Sequence, residues 1–320
     1  MDEFSFIEAI KQNHYKQSSL QRGIGDDAAV FHNGTNDIVV AVDTFVEGVH
    51  FTENTIDSFK LGFRALAANF SDLAAMGAIP KYYLVSIVVP DDWKRENVLN
   101  IFQGMRALAD HYRADLIGGD TVSGSGLVLS VTVIGEVEKG KSRYRNTAKP
   151  GDVVFVTGTL GDSRAGLHIL QNKVSMEDGD YFIKRHQMPE PRIDFAYALK
   201  RIERLALNDI SDGVGNEVHE IAEASEVTIV LYDEKIPVHP CLKQFSKEMQ
   251  EDWKYFGGED FELVGTVPEK DWPTVQETAE QMNLLISRVG FVTNKNKHAV
   301  YVNKQGTLSP LEKAGYTHLK

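Results

Sequence analysis

Short apolar runs alternate with amphipathic stretches along the chain, a pattern that predicts strands and helices in turn. Residues 38–42 (IVVAV) form an unbroken apolar run that ends at Asp43 and a glycine-containing turn, which reads as a buried strand with a functional end. In SFKLGFRALAANFSDLAAMGAIP, Leu61, Ala65, Ala68, Leu73 and Met76 recur near helical spacing. Ser58 is the expected cap of that helix, and Gly77 with Pro80 supplies its stop. A strand is expected over 82–89, a helix over about 92–112, a short strand over 114–117 and a longer one over 127–137. The segment 139–151 (KGKSRYRNTAKPG) is basic, turn-rich and without apolar periodicity, so it divides the chain into domains of 1–138 and 139–320. Beyond it, 152–156 (DVVFV) reads as a strand entering the glycine-rich turn TGTLGDSRAG, with a helix to about residue 170. Further strands are expected over 206–210, 228–232, 261–267 and 299–302, with helices between them, giving an α/β fold class in two domains.

Length agrees with this division, since 320 residues exceed the size at which a single core stops growing. A formal charge of -12 repels nucleic acid and anionic lipid, which excludes a phosphate-backbone partner but not small anions bridged by cations. Cys241 is the sole cysteine, so an intramolecular disulfide, a thiolate metal cluster and a CxxC redox pair are excluded. An acidic start (MDEFSFIEAI) and the lack of an apolar run near the length of a membrane span lead to the expectation of a cytoplasmic protein with no membrane partner.

The informative residues are acids placed at the ends of apolar runs or inside small-residue turns. In the first half these are Asp26 and Asp27 in GIGDDAAV, Asp43 in VDT and Asp120 in GGDT; in the second, Asp209 and Asp212 in NDISDG and Glu259 and Asp260 in GGEDFEL. Neighbouring glycines let the backbone approach an anion closely. Carboxylates without clustered cysteine or histidine favour Mg²⁺ over zinc or copper. Asp72 adds to the set, because a carboxylate within the Ala- and Leu-rich turn NFSDLAAMG must be neutralised by something. The bland reading of any one of these acids is a helix cap or a salt bridge. Paired acids at 26–27 and Gly-Gly before an acid in both halves are not what capping requires.

Other phosphate motifs fare worse. No G-x-x-x-x-G-K-[ST] sequence is present, and Gly23, Gly25 and Ala28 match G-x-G-x-x-A only after a stretch (KQSSLQR) too polar for the strand that motif needs. Gly158 and Gly161 either open a helix N-terminus toward an anion or simply make a tight turn. His50 in EGVHF is by default a satisfied structural histidine, and Arg145 a solvated linker charge; in a cleft between the halves Arg145 would meet phosphate in bidentate fashion.

Taken in order, GIGDDAAV, VDTFVEGVHF, NFSDLAAMGAIP, GGDT, AKPGD, TGTLGDSRAGL, DISDG and GGEDFEL resemble the thiamine-monophosphate kinase family across nearly the whole chain. That resemblance implies an ATP-dependent enzyme of the aminoimidazole ribonucleotide synthetase superfamily, with its site in the cleft between two α/β domains and a homodimer formed through the N-terminal domains. It further implies that Asp27, Asp43, Asp72, Asp120, Asp209 and Asp212 bind Mg²⁺ and that Gly119, Asp120, Arg145 and Ser211 meet the nucleotide. His50, Glu259 and Tyr316 in AGYTHL fall at positions that contact the thiamine phosphate, while Asp43, Asp120 and Arg145 stand closest to the chemistry. Ala41 and Val42 depart from the Ser-Thr that related enzymes carry before Asp43, which removes one hydroxyl ligand.

The expected reaction is in-line transfer of the γ-phosphoryl group of ATP onto thiamine monophosphate, without a covalent enzyme intermediate. A phosphate monoester with a second pKa near 6 is largely dianionic at neutral pH and needs no general base. The obstacle is repulsion between two polyanions, which metal ions held by the acids would reduce. Competing readings are another ATP-using synthetase of the superfamily and a non-catalytic metal-responsive binding protein. Against selenophosphate synthetases stands the position of Cys241, against the carbamoyl-handling hydrogenase maturation proteins the ending HLK, and against a calcium binder the lack of a D-x-[DN]-x-[DN]-G loop.

Overall fold

A computed structural model describes residues 18–23, 26–297 and 299–314. Two mixed sheets are formed, one from strands before residue 139 and one from strands after 151. In the first, β1 (Leu20–Arg22), β2 (Ala29–Asn33), β3 (Asn36–Val46), β4 (Ile79–Val89), β5 (Asp115–Ser123) and β6 (Val128–Glu138) lie in the order β1-β2-β3-β6-β4-β5. All neighbours pair antiparallel except β4 and β5. The apolar run at 38–42 is thus the middle of a longer strand, because β3 pairs along its entire length with β6. Alternation explains which face is covered: Ala41 and Phe45 of β3, Val131 and Val133 of β6, and Val85 and Ile87 of β4 are buried together.

Helices α1 (Ser58–Ala75) and α2 (Arg95–Tyr112) cover that inner face. The cap of α1 is Asp57 rather than Ser58, since the Asp57 carboxylate accepts from the Lys60 amide at 2.9 Å and supplies the charge that a helix N-terminus favours. Nearly every residue of α1 from Leu61 onward is buried. A helix buried all round lies inside a molecule rather than on its surface, and α1 also touches elements of the second half, including the strand and helices that carry Asp209, Gln187 and Phe195.

The second sheet has the order β13-β12-β9-β11-β7-β10-β8, with β7 (Asp152–Thr157), β8 (Ala206–Asp209), β9 (Val227–Tyr232), β10 (Leu263–Pro268), β11 (Ile286–Asn294), β12 (Val300–Lys304) and β13 (Thr307–Pro310). Around it stand α3 (Asp162–Asn172), α4 (Gly179–Gln187), α5 (Ile193–Ala198), α6 (Val214–Ala224), α7 (Lys247–Phe256) and α8 (Trp272–Gln281). Phe261 and Glu262 are not part of β10: the turn before it carries Glu259 and Phe261 at φ +66° and +49°, which no strand accommodates. One apolar core is shared between the halves, joining Leu66 and Phe70 of α1 to Phe155, Phe195, Leu207 and Leu263. Among the described residues, no helix is long and apolar enough to cross a membrane.

Candidate functional site

Three carboxylates converge where the halves meet. Asp27 lies just before β2, Asp72 on the last turns of α1 and Asp209 at the end of β8, and one oxygen from each falls within 4.8 Å of the others. Asp72 therefore does not cap its helix. Burial raises all three above the ordinary carboxylate range, and each is raised further by the others or their neighbours: Asp27 to about 8, Asp209 to about 7, and Asp72 well up. Asp43 adds to the field on Asp72 and Asp209, and Asp212 to that on Asp209, so five of the six expected metal ligands share one electrostatic site. Asp27 Oδ2 and Asp209 Oδ2 are buried without a hydrogen-bond partner. Buried oxygens of like charge left unsatisfied are costly. An all-oxygen donor set of this kind fits a hard divalent cation such as Mg²⁺.

Asp43 is set into place by a residue the sequence reading missed. Its amide donates to Asn69 Oδ1 at 2.9 Å, and Asn69 Nδ2 in turn donates to the Ala65 carbonyl at 2.9 Å inside α1.

Arg145 leans into the same site. Its guanidinium pairs with Asp27, reaches Glu220 at 2.8 Å and donates from Nε to Asn208 Oδ1 at 3.2 Å. Burial would lower its pKa, but the facing carboxylates of Asp27, Glu220 and Glu217 override this and raise it. Glu217, buried on α6, accepts from Asn208 Nδ2 at 2.6 Å, from Ser211 Oγ at 3.3 Å and from the Asp212 amide at 3.0 Å, which braces the NDISDG turn. Glu217 and Glu220 stand three apart on the helix that DISDG opens, a spacing that puts both on one face and could have flagged them.

The acids of GGEDFEL separate into different tasks. Glu259 meets Arg64 of α1 across the cleft. Asp260 accepts from the amides of Gly161 at 2.6 Å and Ser163 at 3.0 Å, so the chain's own carboxylate occupies the N-terminus of α3 and the Gly158–Gly161 segment serves as a tight turn. Glu262 is buried against Arg185 at 2.7 Å, Arg192 and Thr157 Oγ1 at 2.6 Å. Burial opposes its charge, yet the two arginines hold its pKa below the usual value.

His50 closes its own turn, its Nδ1 accepting from the Val46 amide at 3.0 Å, which places the ring proton of the neutral form on Nε2. Gly119 and Asp120 are not brought to the acid cluster. In the strand order β3-β6-β4-β5, Asp43 lines up with Val131, Val85 and Gly119, while Asp120 lines up with Ser86 and Ser130 on the opposite face. Three strand spacings of about 4.8 Å put these positions roughly 14 Å apart. Gly119 is required where it stands, because a Cβ there would meet the Val85 carbonyl oxygen at 1.9 Å. Tyr316 lies outside the described residues. A second group of donors, Asp178, His239 and Cys241, is internally bonded: the Cys241 thiol donates to Asp178 at 3.2 Å and the Cys241 amide to His239 Nδ1 at 3.3 Å.

Comparison with known proteins agrees with this geometry. Residues 25–137 match the family model of the AIR synthase related protein, N-terminal domain, and residues 149–303 that of the corresponding C-terminal domain. The thiamine-monophosphate kinase of Bacillus subtilis (strain 168) is 45% identical over 327 residues, covering 100% of both chains. That of Escherichia coli (strain K12) is 35% identical, covering 93% of this chain and 92% of its own. The structure of AaThiL complexed with AMPPCP and TMP superimposes with a TM-score of 0.86 at 30% identity, covering 99% of this chain and 97% of that one. With motifs, fold and full-length relatives in agreement, the chain belongs to the thiamine-monophosphate kinase family, within the AIR synthase related proteins.

Proposed function

We propose that this kinase transfers the γ-phosphoryl group of ATP directly to thiamine monophosphate, yielding thiamine diphosphate and ADP. The observation that carries the reading is the meeting of Asp27, Asp72 and Asp209, from three separate segments and both halves, with buried oxygens lacking partners. The relative solved with AMPPCP and TMP supports the pair of substrates. In this reading Asp27, Asp43, Asp72, Asp209 and Asp212 hold Mg²⁺, which when bound supplies charge neutralisation between two polyanions. Arg145 and Ser211 orient the nucleotide phosphates, Arg145 by exchanging a carboxylate partner for phosphate oxygens. His50 donates its Nε2 proton to the acceptor phosphate, and Glu259 lines the acceptor side of the cleft. No side chain takes up the transferred group, because the acceptor is already an oxyanion.

Within one chain, Gly119 and Asp120 cannot join this site, and their strand is exposed along its whole length at the sheet edge. Exposed Leu116, Ile117 and Val122 on β5, with Tyr82 on the neighbouring β4 and Val42 farther across the sheet on β3, supply apolar surface for a second copy. The reading is therefore a homodimer through the first sheet in which Asp120 completes the site of the partner.

Incubating the purified protein with ATP, Mg²⁺ and thiamine monophosphate should give thiamine diphosphate and ADP in equal amounts by chromatography, and chelation with EDTA should abolish both. ADP formation that ignores thiamine monophosphate would refute the proposal.

A further inference from the structure

Among the described residues, Arg64 is the largest side chain with no solvent exposure (0%), an unusual place for a charge on an otherwise apolar stretch of helix. Its guanidinium divides between the two halves. Nη1 donates to the carbonyl of His50 at 3.3 Å, Nη2 pairs with the Glu259 carboxylate, the Phe45 ring lies 5.8 Å beneath, and Nε has no partner. Burial of an arginine is tolerated when its fork is used at more than one point.

The two groups it holds come from separate turns. His50 ends a turn at the close of β3, fixed by its own ring to the Val46 amide. Glu259 sits in the GGED turn, bound to the NDISDG turn through its amide to the Ser211 carbonyl at 2.6 Å and through the Phe261 amide to the Ile210 carbonyl at 2.9 Å. At φ +66°, the Glu259 backbone is in a region a non-glycine residue adopts only when its surroundings enforce it. Its side chain retains 30% exposure, so the carboxylate faces both the guanidinium and the opening of the cleft.

We infer that Arg64 is a positioning residue that clamps the His50 turn to the Glu259 turn and thereby sets the affinity for the phosphate acceptor without touching the nucleotide. This rests on the assignment of His50 and Glu259 to the acceptor in the reading above. A single planar cation with two outward nitrogens fixes both the distance and the angle between the turns; a lysine reaches one partner at a time.

The test uses the full chain as Arg64→Met, Arg64→Lys and Glu259→Gln, with initial rates over separate ranges of thiamine monophosphate and ATP and with melting curves for each variant. Arg64→Met should raise the KM for thiamine monophosphate at least tenfold while changing that for ATP less than threefold, and Arg64→Lys should recover part of the loss. Combining Arg64→Met with Glu259→Gln should raise the acceptor KM no further than the worse single change, since one clamp is broken only once. Should Arg64→Met fail to melt cooperatively, Arg64→Lys decides alone, its expected acceptor KM lying at least threefold above the parent. An unchanged acceptor KM in the folded variants, or equal increases for both substrates, overturns the inference. Parent protein that makes no thiamine diphosphate overturns the functional reading itself and the inference with it, a distinct result.

Discussion

At the scale of single residues, the chemistry is concentrated in carboxylates that destabilise the protein that holds them. Asp27, Asp72 and Asp209 are driven together, with one oxygen each of Asp27 and Asp209 left without a partner, an arrangement that costs several kcal/mol unless a cation offsets it. Function and stability should therefore separate at Asp72. Asp72→Asn keeps the shape and removes a buried carboxyl whose ionisation the site opposes, so the metal-free variant should melt at the parent temperature or a few degrees above it. Turnover should fall at least about a hundredfold, as for other lost electrostatic contacts to a transferring group. The parent should also gain stability with Mg²⁺, by about 2.7 kcal/mol at a concentration near 100 times the dissociation constant, and the variant should lose most of that gain. A variant that melts well below the parent and keeps its Mg²⁺ response would show that Asp72 is a structural group. These acids were legible in the sequence because each breaks a local rule, a charge at the end of an apolar run or within a small-residue helix. Asn69 breaks no such rule, Glu217 carries only its helical spacing with Glu220, and Arg64, though a charge in an apolar stretch, carries no sign of its partner in the sequence; only the fold shows that α1 and α6 face the cleft.

At the scale of elements, α1 does the joining, since Arg64, Asn69 and Asp72 all lie on it and it touches both sheets' halves. Its position depends on a close crossing with α2. A Cβ on Gly62 would meet the Ile101 carbonyl oxygen at 1.8 Å, and one on Gly104 the Phe59 carbonyl oxygen at 1.8 Å. Two effects compete in Gly104→Ala. Helix propensity favours alanine by about 1 kcal/mol, whereas forcing a rigid backbone contact apart costs roughly 1–3 kcal/mol or more. The contact is with main chain rather than a flexible side chain, so the clash should win and the melting temperature should fall. Gly179, at the start of α4, meets nothing within 4 Å, and Gly179→Ala should leave the melting temperature unchanged or slightly higher. Equal effects at the two sites would remove the crossing as the determinant of the α1 position. Long elements with clear periodicity, such as α1, β3 and β6, were readable before the fold was known. β5 was cut short at residue 117 because GGDTVS lacks alternation: an edge strand exposed on both faces has no buried side to impose a pattern. β11 went unread for a related reason, as Arg288 and Gly290 interrupt its apolar positions at a register shift against β7.

For the whole molecule, the decisive fact is that strand order separates Asp120 from the acid cluster. β6 and β4 lie between β3 and β5, and the register turns Asp120 to the face opposite Asp43. A rotation of the two halves cannot repair this, because both positions belong to one sheet. If the proposed dimer places the edge strand of one copy against the site of the other, Asp120 and Asp72 serve the same reaction from different chains. Inactive Asp120→Asn and inactive Asp72→Asn should then rescue one another when unfolded together and refolded as a mixture. Random pairing makes half of the dimers mixed, and each mixed dimer has one site free of both substitutions, so activity should recover to about a quarter of the parent value. With Asp120 acting in its own chain, every site in the mixture carries at least one substitution and no activity returns. Adding Ile117→Lys to both partners places a charge on a strand position that is 53% exposed in the single chain, where it is harmless to the monomer fold. It should convert the protein to a monomer by light scattering and abolish the rescue, because a charge buried between two copies without a partner opposes association. Rescue that persists in a demonstrated monomer is impossible on this scheme, and its absence in a demonstrated dimer would return Asp120 to a role outside the phosphoryl-transfer site.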